Sequence, residues 1–548
     1  MALAELVKVP SWIGTTLYSA TGAVKRSLLS RLSDRISVRD FGATGDGVTD
    51  DTAAVQSALN WVASVSGRSL YFPDGTYKVS ALVCTFAANT MQQRIYGPGR
   101  LRHSASSGDM LTIQDGMYCE IELNIIGDGY TLPLPDYTQA DPTGCQQAVV
   151  LNSSRACSLK INAHGYPGRV LRTKSTRTIK LSFLRLSIVT GNDTCAQGMY
   201  LEGGADAWGC IEHGNCNWDY YGSVAKNLTD FSVVYMESGS KGGGDPCVHL
   251  DNVQNAHIGT LALGQNRTAP ALRITGGRAI TIQKALLGES TYGLEVIGSG
   301  TGQPYPQVTI HSLYVANADS GGVRFSNAIN CEVKDFTFDG VPYGFVYFNL
   351  CRDISVNGHS RNPSIATHYA YPGSTLQNLH IRGKHYTAGS STFCDFSAAS
   401  STENVWLWDT TVITTGYYVK VANDSSGVNA FGGNWSGSTL AGSPPITHRL
   451  QSIKGIAGIN TRRTARVGTF SAGSASGTKL TVAHGLLNTP SEVFITVQDP
   501  ADVVSAGSSG VLLYSKDSTN LVFKYSGATT LANDLSFLWT AKSEERAN

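Results

Sequence analysis

The segments "NAHIGTLALGQN" (Asn255–Asn266) and "RAITIQKALLGES" (Arg278–Ser290) read as one unit written twice: a short run alternating apolar and polar residues, opened by Asn or Arg and closed near a Gly. Five later stretches repeat it: "QVTIHSLYVANAD", "NCEVKDFTFDG", "RDISVNGHS", "QNLHIRGKH" and "ENVWLWDTT". Aligning Ile258, Ile282, Ile310, Val333, Val356, Ile381 and Leu407 gives steps of 24, 28, 23, 23, 25 and 26 residues. So regular a period is an internal repeat. A step of this size holds two or three short strands and their turns, which is what one coil of a right-handed parallel β-helix needs. Its inward alternate residues pack on those of the coils above and below. Ankyrin repeats would need a helix in every unit, and leucine-rich repeats a regular Leu–Asn signature; neither is present. Two earlier strands, "YCEIELNII" (Tyr118–Ile126) and "ACSLKINAHG" (Ala156–Gly165), extend the ladder backwards.

Composition agrees. The 548 residues include 59 glycines and only 15% charged residues, which favours short strands and turns over long helices. A net charge of +1 offers no clustered basic surface for a phosphate backbone, so a nucleic-acid function is disfavoured. Eleven cysteines, with no C-x-x-C pair, indicate neither a zinc site nor a regular disulfide framework, and buried free thiols are expected. The start "MALAELVKVPSWIGTTLYSA" lacks a basic n-region with a cleavage site, and no apolar run approaches about 18 residues; a soluble chain without membrane insertion is expected.

The repeat is interrupted, on this reading, between Thr190 and Leu228. That stretch concentrates Trp208, Trp218, Tyr220 and Tyr221 with Asp206, Glu212, His213 and Asp219. Long loops on a rigid scaffold are where function is usually mounted. Toward the other end, "INTRRTARVGTFSAG" reads as a linker. The alternating runs "KLTVAH", "SEVFITVQD", "GVLLYSKD", "LVFKYSG" and "LSFLWTAK" predict a small antiparallel β domain over residues 467–548.

Before the ladder, "SVRDFGATGDGVTDDTAAVQSALNW" (Ser37–Trp61) joins a glycine–aspartate turn to an amphipathic helix. Gly42, Gly45 and Gly47 suit tight turns, Asp50, Asp51 and Thr52 are N-cap residue types, and Val55, Ala58, Leu59 and Val62 form the apolar stripe. The aspartates lack the spacing and terminal glutamate of an EF-hand, so no metal is expected there. This stretch, with "SLYFPDGTYKVS" (Ser69–Ser80), resembles the opening segment of pectate-lyase-like β-helix proteins, especially bacteriophage tailspikes and capsule depolymerases. The resemblance implies that the turn and helix cap the first coil and that the aspartates are structural. "HGL" (His484–Leu486), "PSEVFITV" and "FLWTA" are similar to small trimerising C-terminal domains of phage tail fibres.

The organisation expected is an all-β chain: an N-terminal attachment arm (1–35), a lead-in and capping segment (36–95), a parallel β-helix (96–450) carrying the aromatic-rich stretch 190–228, a linker (451–466) and a C-terminal β-sandwich-like domain (467–548) for trimerisation or carbohydrate binding. The resemblance further implies a homotrimer on the virion, made in the host cytoplasm and acting at the bacterial surface. It would dock to a phage tail or adaptor protein through the arm. It would bind, and usually cleave, a capsule, O-antigen or exopolysaccharide, without a cofactor.

Glycoside hydrolysis needs two carboxyl groups about 5 to 9.5 Å apart, and stacked coils about 4.8 Å apart line such groups up in columns. Aligning Val233 with Leu261 gives the column Glu237, Gln265, Glu289, Asn317, so Glu237 and Glu289 are candidate acid and base, with Asp319 close by on a following coil and Asp245 on a glycine-rich loop next to Glu237. Glu212 and Asp219 form an alternative pair. Trp208, Trp218, Tyr220 and Tyr221 are candidate sugar-stacking residues, since aromatic faces pack on sugar rings. A lyase would instead use a base and a cation, for which His164, Tyr166 and Arg169, or Lys384, His385 and Tyr386, are candidates. A binding spike or plain fibre is the non-enzymatic alternative.

Overall fold

A computed structural model describes residues 35–174, 184–190, 195–203, 209–240, 244–264, 267–298, 306–361, 364–386 and 392–413, and shorter stretches between 419 and 542. The chain divides into two compact units, residues 1–295 with 301–311, and residues 296–300 with 312–548.

In the first unit, helix α1 (Thr52–Ala63) buries Val55, Ala58, Leu59, Val62 and Ala63. Asp51 stands at its N-cap but its side chain does not bond the helix; its carboxylate accepts the backbone N–H groups of Thr44 (2.6 Å) and Gly45 (3.0 Å), tying down the glycine turn. The Thr52 N–H is taken instead by Asp50.

From Gly108–Gln114 to Arg278–Gly288 the strands pair in parallel, each with the strand two ahead, as a solenoid requires. One series runs Gly108–Gln114, Gln146–Asn152, Arg169–Lys174, Gln197–Glu202, Ser223–Lys226, Val248–Asp251 and Leu272–Thr275. The other runs Glu120–Ile126, Ser158–His164, Leu184–Thr190, Gly209–Asp219, Ser232–Ser240, Gln254–Gly264 and Arg278–Gly288. Ile121, Leu159, Leu186, Ile211, Val233, Ile258 and Ile282 are successive partners and all buried. Each such side chain contributes about 1.5–3 kcal/mol of burial.

Two sequence expectations change. The stretch 190–228 does not interrupt the repeat: Gln197–Glu202, Gly209–Asp219 and Ser223–Lys226 are in-register rungs. Its polar and aromatic composition hid the inward residues Met199, Leu201 and Ile211, which keep the period. Val233 pairs with Ile258 rather than Leu261, a three-residue shift that places Glu237 opposite Ala262, itself opposite Leu286.

Corners between strands use Asn and Asp in the left-handed region, where a short polar side chain can bond its neighbour. Asn227 (φ 53°) and Asn252 (φ 52°) occupy equivalent corners, and Asn252 donates to the Asn227 side-chain oxygen at 2.8 Å.

In the second unit Val333, Val356, Ile381 and Leu407 are successive buried partners, as the repeat alignment predicts. An aromatic core containing Phe336, Phe338, Phe345, Tyr347, His368, His385 and Phe393 fills the interior. The C-terminal region holds two three-stranded antiparallel sheets sharing a core of Leu521, Phe523, Tyr525 and Trp539. Its first strand, Thr464–Phe470, overlaps the end of the stretch read as linker. Ten cysteines lie among the described thiols, all buried and none in a disulfide.

Candidate active site

The candidate site lies in the first unit, at the corner where three chain segments converge. The first segment is the loop 127–145 between two strands. Within it, Tyr137 is buried, and its hydroxyl accepts the Gln146 N–H at 3.1 Å. Asp136, one residue before, is exposed and accepts bonds from Thr138 (3.1 Å to the backbone N–H) and Gln139 (3.0 Å). Bonds from Thr138, through side chain and backbone, and from Gln139 hold its carboxyl below the usual carboxylate range against a modest desolvation.

Arg169 locks this loop down. Its guanidinium is buried and donates to the carbonyls of Tyr137 (3.0 Å), Gln139 (2.7 Å) and Ala140 (2.5 Å), while Nε donates to Gln197 (2.6 Å). It also lies over the Tyr200 ring, 4.4 Å from its centroid. Burial lowers its pKa to about 10, leaving it charged at neutral pH.

The second segment is the turn Tyr220–Gly222. The Tyr221 N–H donates to the Ala196 carbonyl at 2.8 Å, which fixes the turn on the coil below. Tyr220 and Tyr221 meet edge to face (5.0 Å), Tyr130 packs on Tyr220 (5.5 Å) and Tyr137 on Tyr221 (5.7 Å). The third segment, Gly244–Cys247, stacks directly above, since Ser223 pairs with Val248 and the Ser223 N–H donates to the Cys247 carbonyl. A Cβ on Gly222 would overlap the Pro246 carbonyl oxygen, so only glycine allows the two turns this approach.

Asp245 rides on that upper turn, half-buried. Burial, helped by the negative charge of Asp136, raises its pKa to about 6, against an opposing pull from Arg273. Arg273 is held by Glu295 at 2.8 Å, whose side chain is 3% exposed. Burial chiefly, then the charge of Asp136, the neighbouring Tyr220 and the charge of Asp245, raises the Tyr221 phenol, so this ring lies in the field of both carboxylates. Two carboxyl groups pushed in opposite directions beside an aromatic surface are chemically able to divide the work of a proton donor and an ionised partner.

Of the sequence candidates, Asp245, Tyr220 and Tyr221 come together here. Glu237 and Glu289 do not form the expected column: Glu289 stands three residues past the partner of Glu237's row, on a turn at φ 44°. Adding roughly 10 Å along the strand to two coil spacings puts them about 14 Å apart, beyond the range for a shared bond. Glu237 accepts the Tyr235 hydroxyl at 3.1 Å. Asp319 belongs to the second unit, where it is exposed. Asp219 is 1% exposed inside the coil, bonded by Thr190 at 3.2 Å, and burial pushes its pKa well up; a carboxyl sealed inside the coil does not meet substrate. Trp208 and the side chains of Glu212 and Trp218 lie outside the described residues.

The lyase candidates also resolve. Tyr166 is buried with its hydroxyl 3.1 Å from His103, Arg169 anchors the loop, and His385 is sealed in the aromatic core. His164 and Lys384 are exposed, and the side chain of Tyr386 lies outside the described residues. Sequence reasoning missed Asp136, Tyr130, Arg273 and Glu295. The available signal was the length of the loop 127–145, since long loops in compact repeats are usually functional.

Residues 35–134 match the family model for rhamnogalacturonase A/epimerase, pectate lyase-like. Among curated proteins, mannuronan C5-epimerase AlgE5 of Azotobacter vinelandii is 54% identical over 43 residues, 8% of this chain and 4% of the epimerase. Plasmin and fibronectin-binding protein A of Streptococcus pneumoniae is 47% identical over 49 residues, 9% of this chain and 7% of its own. The chain thus spans only a small part of the curated relatives it matches. Among solved structures, the tailspike of E. coli bacteriophage HK620 in complex with pentasaccharide is 11% identical, with 98% of each chain covered and a TM-score of 0.45. The Gp54 tailspike of Acinetobacter baumannii bacteriophage AP22, in complex with capsular saccharide, is 9% identical, covers 96% of this chain and 100% of its own, and has a TM-score of 0.31.

The opening segment is therefore a pectate-lyase-like domain of the parallel β-helix class.

Proposed function

We propose that the protein is a phage tailspike depolymerase that cleaves a bacterial surface polysaccharide by glycoside hydrolysis, with Asp245 as general acid and Asp136 as its ionised partner. The observation that carries this reading is the convergence of the loop bearing Asp136 and the turn bearing Asp245 on the Tyr130, Tyr220 and Tyr221 cluster, in surroundings that push the two carboxyls in opposite directions. The tyrosine faces and edges suit stacking on sugar rings and bonding of hydroxyls. Below about pH 6 Asp245 holds its proton and passes it to the leaving glycosidic oxygen. Asp136 takes a proton from the water that attacks the anomeric carbon, and exchange with solvent restores both groups.

The tailspike part of the reading rests on the resemblance of residues 36–80 and of the C-terminal strands to those proteins. In that assembly residues 467–548 hold a homotrimer and residues 1–35 dock on a tail or adaptor protein. A panel of bacterial capsular and O-antigen polysaccharides, followed by polymer size and product mass, tests it. Hydrolysis yields oligosaccharides one water heavier than intact repeats, and Asp245→Asn slows it at least ~100-fold. Products lacking that water would make the protein a lyase, and binding of a polymer that stays intact would make it a recognition spike.

A further inference from the structure

The second unit carries a groove of about 430 Å³ lined by Glu332, Lys334, Asn357, His380, Arg382 and Trp408, with Ser355 between them. Register explains why these residues meet. Glu332, Ser355, His380 and Trp406 are successive partners along one outward row, and Asn357, Arg382 and Trp408 along the next. Between the rows Val333, Val356, Ile381 and Leu407 point inward and are buried. The groove is therefore the outer face of one rigid parallel sheet, and its length is set by four rungs about 4.8 Å apart.

Its chemistry is specific. Trp406 and Trp408 are stacked, 5.7 Å between centroids at 18°, and the Trp408 indole N–H donates to His380 Nδ1 at 3.4 Å, which fixes an aromatic wall on one side. Lys334 and Arg382 face the groove against the single carboxylate of Glu332, which is 3.9 Å from the Lys334 ammonium, and the His380 imidazole lines the groove between them. Asn357 and Ser355 add neutral donors and acceptors along the floor. A linear row of rungs with an aromatic wall, amide and hydroxyl partners and an excess of cations suits a sugar chain bearing carboxylates.

We infer that this groove is a binding site for a carboxylated glycan segment, separate from the Asp136–Asp245 site and built entirely from the second unit. Trp408 stacks on a sugar ring, and Arg382 and Lys334 take the uronate carboxylate. The inference rests on the polysaccharide reading above only for the choice of a glycan, since binding is measured here without cleavage.

The test uses the full chain carrying Asp245→Asn, in affinity electrophoresis through gels containing polygalacturonate, alginate, chondroitin sulfate or neutral dextran. Retardation by polygalacturonate or alginate, absent with dextran and weakened by salt, is expected. Trp408→Ala and Arg382→Gln should each weaken it about tenfold. Trp408→Phe, which keeps an aromatic face, covers the case in which the alanine variant fails to fold, and should bind more weakly than tryptophan but measurably. Chondroitin sulfate retarding more strongly than either uronate homopolymer would overturn the carboxylate assignment. Three outcomes would overturn the site: no retardation by any acidic polymer, retardation unchanged in Arg382→Gln, or a loss of native oligomer in that variant, which would mark the face as a contact between copies. None of these results depends on cleavage, so a failure here and a failure of the hydrolase reading are separately visible.

Discussion

The Tyr347 hydroxyl lies 3.1 Å from His368 Nδ1, with both rings sealed inside the second unit. His385, equally buried, meets His368 edge to face at 5.6 Å. Burial depresses both imidazoles, His385 to about 3, with the neighbouring His385 adding to the effect at His368. Unfolding frees each to protonate near pH 6.5. Stability is therefore intact above about pH 6.5 and falls as the pH drops below it, by up to about 1.4 kcal/mol per pH unit for each histidine, until the folded pKa is reached. Denaturant midpoints at pH 7.5 and 4.5 should separate clearly. His385→Phe, in a site already bordered by Phe336 and Phe393, should narrow the gap; an unchanged gap would clear this histidine of any part in acid lability.

The pH dependence of cleavage should follow Asp245. Its raised pKa keeps the proton donor loaded below about pH 6, so kcat falls as the pH rises through that value. Asp136, held below the ordinary carboxylate range, stays ionised throughout this window. The profile should therefore have its alkaline limb near pH 6. Asp136→Asn removes the negative charge that helps raise Asp245 and should move that limb to lower pH in the residual activity. A limb that stays in place would separate the two carboxylates.

The solenoid was legible because burial enforces it: each coil must present an apolar residue at the same point, and the column from Val333 to Leu407 repeats that requirement without exception. What was not legible was register across an irregular coil. Val233 and Leu261 are both apolar and both buried, so a shift of three residues satisfies the pattern equally well, and backbone pairing alone chooses Ile258. That shift decided the fate of Glu237 and Glu289. Tyr220, Tyr221 and Asp245 stood out in the sequence through composition, as aromatic and glycine-rich stretches unlike the neighbouring coils. Asp136 escaped because it reaches the site from a coil far earlier in the chain, across a contact that no local pattern announces.

Removing the Arg169 guanidinium should loosen one segment more than the rest. Arg169→Met takes the guanidinium donor from the carbonyls of Tyr137 and Gln139, at a cost of roughly 1–3 kcal/mol for each one left buried without a donor, while Ala140 keeps its bond from Arg172 Nε at 3.2 Å. Limited proteolysis should then cut within residues 127–145 while the far-ultraviolet signature of the strands is retained. Cleavage activity should fall with it, because Asp136 rides on that loop. A variant with a protease-resistant loop and normal activity would show that packing of Tyr137, rather than Arg169, holds the segment.

The corner asparagines supply a test of what stabilises the ladder itself. Asn378 sits at φ 52°, donates to the Asp353 side chain at 2.8 Å and accepts from Asn404 at 3.2 Å, so one residue provides both a left-handed turn and the middle of a three-coil hydrogen-bonded column. Asn378→Gly keeps the turn and loses only the bonds, about 0.5–1.5 kcal/mol each. Asn378→Ala loses the same bonds and keeps a Cβ in the left-handed region without the short polar side chain that lets Asn tolerate it, which sets it about 1–2 kcal/mol below the glycine variant. The alanine variant should therefore unfold at lower denaturant than the glycine variant. Equal midpoints would assign the stability to the side-chain column alone, and a glycine variant below alanine would mean that chain entropy in the unfolded state outweighs the conformation of the turn.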